Sequence, residues 1–182
     1  DGIDDIVLAG VGQLGFAFIG GNGELIQLDM HAAGAGDAPQ DISSVDVNED
    51  GHKDLIFTCP VLNRVGVLLQ NGDGSYGDFT DYVVTSSPAS ISSADLNGDG
   101  SKDVIVGTGY GMEWRTANTN GGFNGLEIME VDTDVPHLNT ADLNDDGMAD
   151  VVIYDGAEIT VYMNAGGGTP PSQFLRGDVN MD

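Results

Sequence analysis

Asp46-Val-Asn-Glu-Asp-Gly-His-Lys-Asp54 runs straight into Leu55-Ile-Phe57, and this junction decides the fold because it occurs three times. The other copies are Asp95-Leu-Asn-Gly-Asp-Gly-Ser-Lys-Asp103 before Val104-Ile-Val106, and Asp142-Leu-Asn-Asp-Asp-Gly-Met-Ala-Asp150 before Val151-Val-Ile-Tyr154. All three align without gaps as D-x-N-x-D-G-x-x-D. They recur after 49 and then 47 residues, the length of a four-stranded propeller blade rather than of a helical repeat unit.

Working outward, each loop follows a short run ending in small residues: Ile42-Ser-Ser-Val45, Ile91-Ser-Ser-Ala94 and Leu138-Asn-Thr-Ala141. Each is followed by an unbroken apolar, largely β-branched run, which reads as a strand covered on both faces. Val65-Gly-Val-Leu-Leu69 and Ile159-Thr-Val-Tyr-Met163 supply further strands. Asn22-Gly23 and Asn71-Gly72 are tight-turn signals between strands, and no window of useful length has helical periodicity. The expected fold is all-β, a β-propeller-type array of about four four-stranded blades. It divides into repeats at 1–45, 46–94, 95–141 and 142–182 within one continuous repeat domain, the last carrying a Gly/Pro linker and a partial fifth loop.

The loop pattern points to calcium. Oxygen side chains at positions 1, 3, 5 and 9, with a backbone carbonyl at position 7, make a hard donor shell suited to Ca²⁺, and glycine at position 6 lets the chain turn inside it. The expected ligands are Asp46, Asn48, Asp50, Asp54 and the His52 carbonyl; then Asp95, Asn97, Asp99, Asp103 and the Ser101 carbonyl; then Asp142, Asn144, Asp146, Asp150 and the Met148 carbonyl. An EF-hand is excluded because its position 12 needs Glu, where this chain has Phe57, Val106 and Ile153. Mg²⁺ prefers fewer protein ligands and more water, and the lack of Cys/His clusters leaves no zinc site. Three carboxylates held close together in each loop repel, so metal binding and folding are expected to be coupled.

Composition agrees. The 182 residues carry 30 Asp and Glu against 5 Lys and Arg, a formal net charge of −25. Such a charge opposes compaction unless cations offset it, and three Ca²⁺ would bring −25 to −19. Nucleic acid and anionic membrane both need a basic face, so neither is an expected partner. No apolar stretch approaches membrane-spanning length. The single Cys59 excludes an internal disulfide framework and is expected to pack as a small hydrophobe.

The chain begins and ends on partial motifs. Asp1, Ile3 (through its carbonyl) and Asp5 match positions 5, 7 and 9, while Asp178, Asn180 and Asp182 match positions 1, 3 and 5. Two readings follow: a piece of a longer polypeptide, or a tail that completes the calcium site at the head of another copy or of its own chain. The second gives a ring or filament.

At these residues the chain resembles the FG-GAP or VCBS repeat family of calcium-binding β-propellers, which includes integrin-α heads and certain lectins. Beyond the loops, Val67-Leu-Leu-Gln-Asn-Gly-Asp-Gly-Ser-Tyr-Gly-Asp-Phe79 is similar to the family's strand-turn. Thr119-Asn-Gly-Gly-Phe123 and Asn164-Ala-Gly-Gly-Gly168 depart from it. A family propeller usually has more blades than this chain supplies. The resemblance therefore implies further blades or other copies as partners. Phe174-Leu-Arg-Gly-Asp-Val-Asn-Met-Asp182 is also similar to the opening of a dockerin calcium loop.

Other candidates are weaker. Arg176-Gly177-Asp178 spells an adhesion tripeptide, but Asp178 is already assigned to calcium. His31, His52 and His137 share no pattern. Trp114, with Tyr110 and Arg115, has two readings, a packed core tryptophan or a sugar-stacking platform. No nucleophile elbow, phosphate loop or dinucleotide fingerprint is present, so the chain is not expected to be an enzyme. The expected function is an extracellular or cell-surface calcium-stabilised structural or cell-adhesion module. The alternatives are a lectin-like carbohydrate-binding propeller and a non-catalytic domain of a larger secreted enzyme. Possible partners beyond other blades are glycans or a surface protein.

Overall fold

Alternation along a strand sends neighbouring side chains to opposite faces, so a run that is apolar at every position needs a layer on each side. The computed structural model describes residues 5–32, 38–118, 120–131 and 134–166, with the backbone of 174–177. It supplies those layers by stacking four antiparallel sheets. The first contains β1 (Ile6–Gly10), β2 (Gln13–Ile19) and β3 (Leu25–Ala32). The second contains β4 (Ile42–Val45), β5 (Asp54–Cys59), β6 (Arg64–Leu68) and β7 (Thr80–Val83). The third contains β8 (Pro88–Ala94), β9 (Asp103–Thr108), β10 (Gly111–Asn118) and β11 (Gly122–Glu130). The fourth contains β12 (His137–Ala141), β13 (Asp150–Tyr154), β14 (Ile159–Asn164) and β15 (Phe174–Gly177). Strands pair in chain order within every sheet, the meander of a propeller blade. The described residues form no helix, and so none long and apolar enough to cross a membrane.

The sheets begin one strand before each D-x-N loop, so the loop joins the first strand of a blade to its second. Asp5 sits at the head of β1 as Asp54 sits at the head of β5, which makes β1 the counterpart of a second strand. β8 packs against both β4 and β12, and the Ser92 and Thr140 hydroxyls meet at 2.9 Å across this line of first strands.

The apolar runs of β5 and β9 are each divided between two cores, whereas the expectation of cover on both faces fails for β13, where Val151 and Ile153 enter one core and Tyr154 stays 43% exposed on the outer face. In β5, Leu55, Phe57 and Cys59 join Leu14, Phe16 and Leu68 between the first and second sheets, while Ile56 joins Val65, Val67, Val104 and Val106 between the second and third. In β9, Ile105 points the other way, into a third core with Met112, Trp114, Val151, Ile153 and Tyr162. Cys59 is a fully buried thiol, packed as a small hydrophobe in the core between the first and second sheets. Asn22-Gly23 and Asn71-Gly72 lie in the expected hairpins, with the Gly23 N–H donating to the Gly20 carbonyl and the Gly74 N–H to the Asn71 carbonyl.

One close approach requires glycine. Gly66 pairs with Phe57 in the β5–β6 ladder, and a Cβ there would lie 2.4 Å from Phe57 Cζ and 2.5 Å from Phe79 Cε2. Both rings would have to move within a filled core. Gly66→Ala is expected to cost about 3 kcal/mol through overpacking, read as a lower urea midpoint with an unchanged m-value.

Candidate functional site

The three loops fold onto themselves through one repeated set of hydrogen bonds. In the first, the Asp46 carboxylate reaches across the loop, Oδ1 accepting from Asp50 N at 3.1 Å and Oδ2 from Gly51 N at 2.9 Å. Asn48 Oδ1 accepts from the same Asp50 N–H at 3.2 Å, and Asn48 Nδ2 donates to Asp50 Oδ2 at 2.8 Å. Asp50 Oδ1 accepts from His52 N at 2.8 Å. Positions 1 and 3 share a single donor, so their oxygens converge beside position 5.

The other two loops repeat the set. Asp99 N is shared between Asp95 Oδ1 and Asn97 Oδ1 at 3.2 and 2.8 Å, and Asp146 N between Asp142 Oδ1 and Asn144 Oδ1 at 3.2 and 3.0 Å. Gly100 N and Gly147 N donate to the position-1 carboxylates, both at 2.9 Å. The position-6 glycines have φ of 90°, 95° and 87°, a conformation that strains residues with a Cβ. Position 4 is also left-handed, at Glu49, Gly98 and Asp145.

Position 9 has a structural task that its spacing does not signal. Asp54, Asp103 and Asp150 are completely buried. In each, Oδ2 accepts from the backbone N–H of position 2 (Val47, Leu96 and Leu143) at 2.8 to 3.0 Å. Oδ1 accepts from a backbone N–H at or just past the end of the third strand (Gln70, Ala117 and Asn164) at 2.8 to 2.9 Å. Each carboxylate thereby clamps the base of its loop to its own sheet. Asp5 makes the corresponding bond in the first sheet, accepting from Ile19 N at 2.9 Å.

The electrostatics follow this geometry. Asp50 and Asp99 are held below the ordinary carboxylate range, chiefly by the N–H groups of His52 and Ser101 and then by the amides of Asn48 and Asn97. Burial pushes Asp54 up, and Asp103 up to about 6, with the like charges of positions 5 and 1 adding to the rise against the N–H bonds that oppose it. A cation among these groups would relieve that repulsion.

Among the described residues no three His, Cys, Asp or Glu side chains close around one point. The side-chain donors of each loop are three carboxylates, at positions 1, 5 and 9, and one amide oxygen, at position 3. This all-oxygen set on a glycine-turned loop fits a hard divalent cation of the Ca²⁺ type. Asp1, Ile3, Asp178, Asn180 and Asp182 lie outside the described residues. The completed end loops therefore lie outside them, as does the dockerin-like ending beyond the backbone of Phe174–Gly177.

Contacts between loops escaped the sequence reading. Asn164, 3% exposed, donates its Nδ2 to the Leu96 carbonyl at 2.9 Å and the Ala149 carbonyl at 3.2 Å. Ser101 Oγ donates to Glu49 Oε1 at 2.6 Å. Neither residue belongs to a motif position that signals such a role.

Of the two readings of Trp114, the packed core tryptophan holds and the sugar-stacking platform does not. Trp114 is fully buried in the core between the third and fourth sheets, and alternation along β10 sends Arg115 to the other face, where its guanidinium lies 5.6 Å from the Tyr82 ring centroid. Tyr110 is 69% exposed. It lines a cavity of 590 Å³ with Thr85, Ile128, Glu130, Val131 and Asp134, at the end of the sheets opposite the loops. Glu113, buried beside this end, accepts from Thr85 N through both oxygens at 3.0 Å and ties the second sheet's exit to the third sheet. His137 stacks on Tyr154.

Comparison with known proteins agrees with this architecture. A family model described as FG-GAP-like repeat matches residues 46–106 and again 95–153. A solved structure whose title describes specific recognition of non-reducing terminal N-acetylglucosamine by an Agrocybe aegerita lectin is similar in fold, with TM-score 0.64 and 22% sequence identity. The match covers 94% of this chain and 48% of that one, so the chain spans about half the lectin's length. No curated protein matches the chain.

Proposed function

This chain belongs to the FG-GAP-like repeat family, and from that premise we propose that it is an extracellular, calcium-stabilised, non-catalytic propeller module serving adhesion or structural assembly. The observation that carries the reading is the same inward-turned hydrogen-bond set in three loops at blade spacing. The residues that would hold the ion are the side chains of positions 1, 3, 5 and 9 and the carbonyl of position 7. Its charge would offset carboxylates that otherwise repel. Isothermal titration of the metal-stripped chain with Ca²⁺ is expected to return three sites; absence of binding heat and of any spectral change sinks the reading.

Two outer sheet faces support assembly with further blades, whether of a longer chain or of other copies. Ile6, Leu8, Leu28 and Met30 are each at least half exposed on the first sheet, and Tyr154 and Ile159 are exposed on the fourth. The three buried clusters join consecutive sheets only.

A second reading, a lectin-like propeller, is favoured by the cavity beside Tyr110. An exposed aromatic face next to Glu130 and Asp134 suits a sugar ring, with acids to accept its hydroxyls. A glycan array probed in millimolar Ca²⁺ is expected to show binding that Tyr110→Ala abolishes. An array without hits removes this reading and leaves the first intact.

A further inference from the structure

We infer that the three loops take up cations as a coupled array, with Asn164 as the positioning residue that joins the second loop to the third. The inference rests on the calcium reading above.

The link between the loops at 95–103 and 142–150 is buried and fully bonded. Asn164 Nδ2 bridges the carbonyl of Leu96, position 2 of one loop, and that of Ala149, position 8 of the next. The Leu96 N–H is already held by Asp103, and the Asn164 N–H by Asp150, so the buried carboxylate of each loop holds one of the two residues that the Asn164–Leu96 bond joins. Asn164 Oδ1 accepts from Gly166 N at 3.2 Å, which fixes the amide with its NH₂ toward the two carbonyls. The two loops also approach each other beside it, for a Cβ added to Gly98, position 4, would sit 3.6 Å from Met148 Sδ and Cε at position 7 of the next loop.

The same relation recurs between the loops at 46–54 and 95–103. There, position 4 is Glu49 and position 7 is Ser101, joined at 2.6 Å. This link is solvent-exposed, so water competes for both groups and the coupling through it is weaker.

Coupling follows because ordering one loop fixes backbone groups that its neighbour also uses. Once Asp103 and the Leu96 peptide are fixed, Asn164 is oriented, and with it the Ala149 carbonyl and the Asp150 clamp. The second loop then loses less conformational entropy on binding than it would alone, and by linkage the effect runs equally in both directions.

The amides of Gly51, Gly100 and Gly147 report the loops separately, because each donates to the position-1 carboxylate of its own loop. Calcium titration of the metal-stripped, ¹⁵N-labelled chain is followed at these resonances, first in the native sequence and then with the third loop disabled by Asp142→Ala with Asp146→Ala. Disabling that loop is expected to raise the Gly100 midpoint about tenfold. In an Asn164→Ala background the same disabling is expected to raise it less than about twofold. If Asn164→Ala does not fold, Glu49→Ala tests the exposed link, and disabling the second loop by Asp95→Ala with Asp99→Ala must then move the Gly51 midpoint less than it does with Glu49 present.

An unchanged Gly100 midpoint on disabling the third loop overturns the coupling and leaves the calcium reading standing. A shift that survives Asn164→Ala overturns the role of Asn164, and a Gly51 response indifferent to Glu49 overturns the exposed link. No movement of any of the three glycines overturns the coupling and the calcium reading together.

Discussion

Asp103→Ala is expected to lower the unfolding free energy in Ca²⁺ by about 4 kcal/mol, since it strands two buried N–H groups at about 1 to 3 kcal/mol each. Those groups are Leu96 N and Ala117 N, held at 3.0 and 2.9 Å by a side chain with no exposure to solvent. A second effect opposes this one. Burial and the charges of Asp99 and Asp95 push the Asp103 carboxyl up to about 6, so removing it also removes an unfavourable charge. A bound cation cancels that relief. The loss is therefore expected to be largest in Ca²⁺ and smaller in EDTA, while Asp103→Asn, which keeps one acceptor, is expected to lose about half as much. Urea denaturation under both conditions measures the difference. A loss under about 1 kcal/mol in Ca²⁺ shows that the clamp contributes little.

Withdrawing calcium is expected to lower the Tm by about 20 °C. A site with Kd near 0.1 mM, within the range of extracellular modules, in about 10 mM Ca²⁺ gains about 2.7 kcal/mol. Three such sites give about 8 kcal/mol, and each kcal/mol moves the Tm of a domain of this size by about 2 to 4 °C. Screening by salt works against the effect only weakly, because each loop's charges lie well inside a Debye length of one another. Scanning calorimetry in Ca²⁺ and in EDTA reads the shift directly. Coincident melting curves reject calcium as the stabilising element, whatever the loops' hydrogen bonds.

Much of this was legible in the residues themselves. Continuous runs such as Leu55-Ile-Phe57 announce strands buried on both faces, and the fold divides that run between two cores. The position-6 glycine announced a left-handed turn, found at all three copies. Trp114 has two readings in the sequence because a tryptophan's type does not say which face of its strand it occupies; the β9–β10 pairing and the packing of the third sheet on the fourth place it in the core between them. Asp54 and its counterparts were legible as loop carboxylates but not as clamps, because the N–H groups they hold at Gln70, Ala117 and Asn164 belong to a strand that only the sheet brings near.

The sequence by itself determined the repeat length, the strands and the chemistry of the loops. All of these rest on local rules: alternation in a strand, positive φ at glycine, and oxygen donors at alternate positions. The tertiary structure alone decided that Asn164 touches a loop lying 68 residues earlier and that Ser101 reaches Glu49 across 52. Spacing within a motif cannot encode such contacts. They depend on how one twisted sheet seats on the next, which is set by the whole interdigitated core rather than by any single segment.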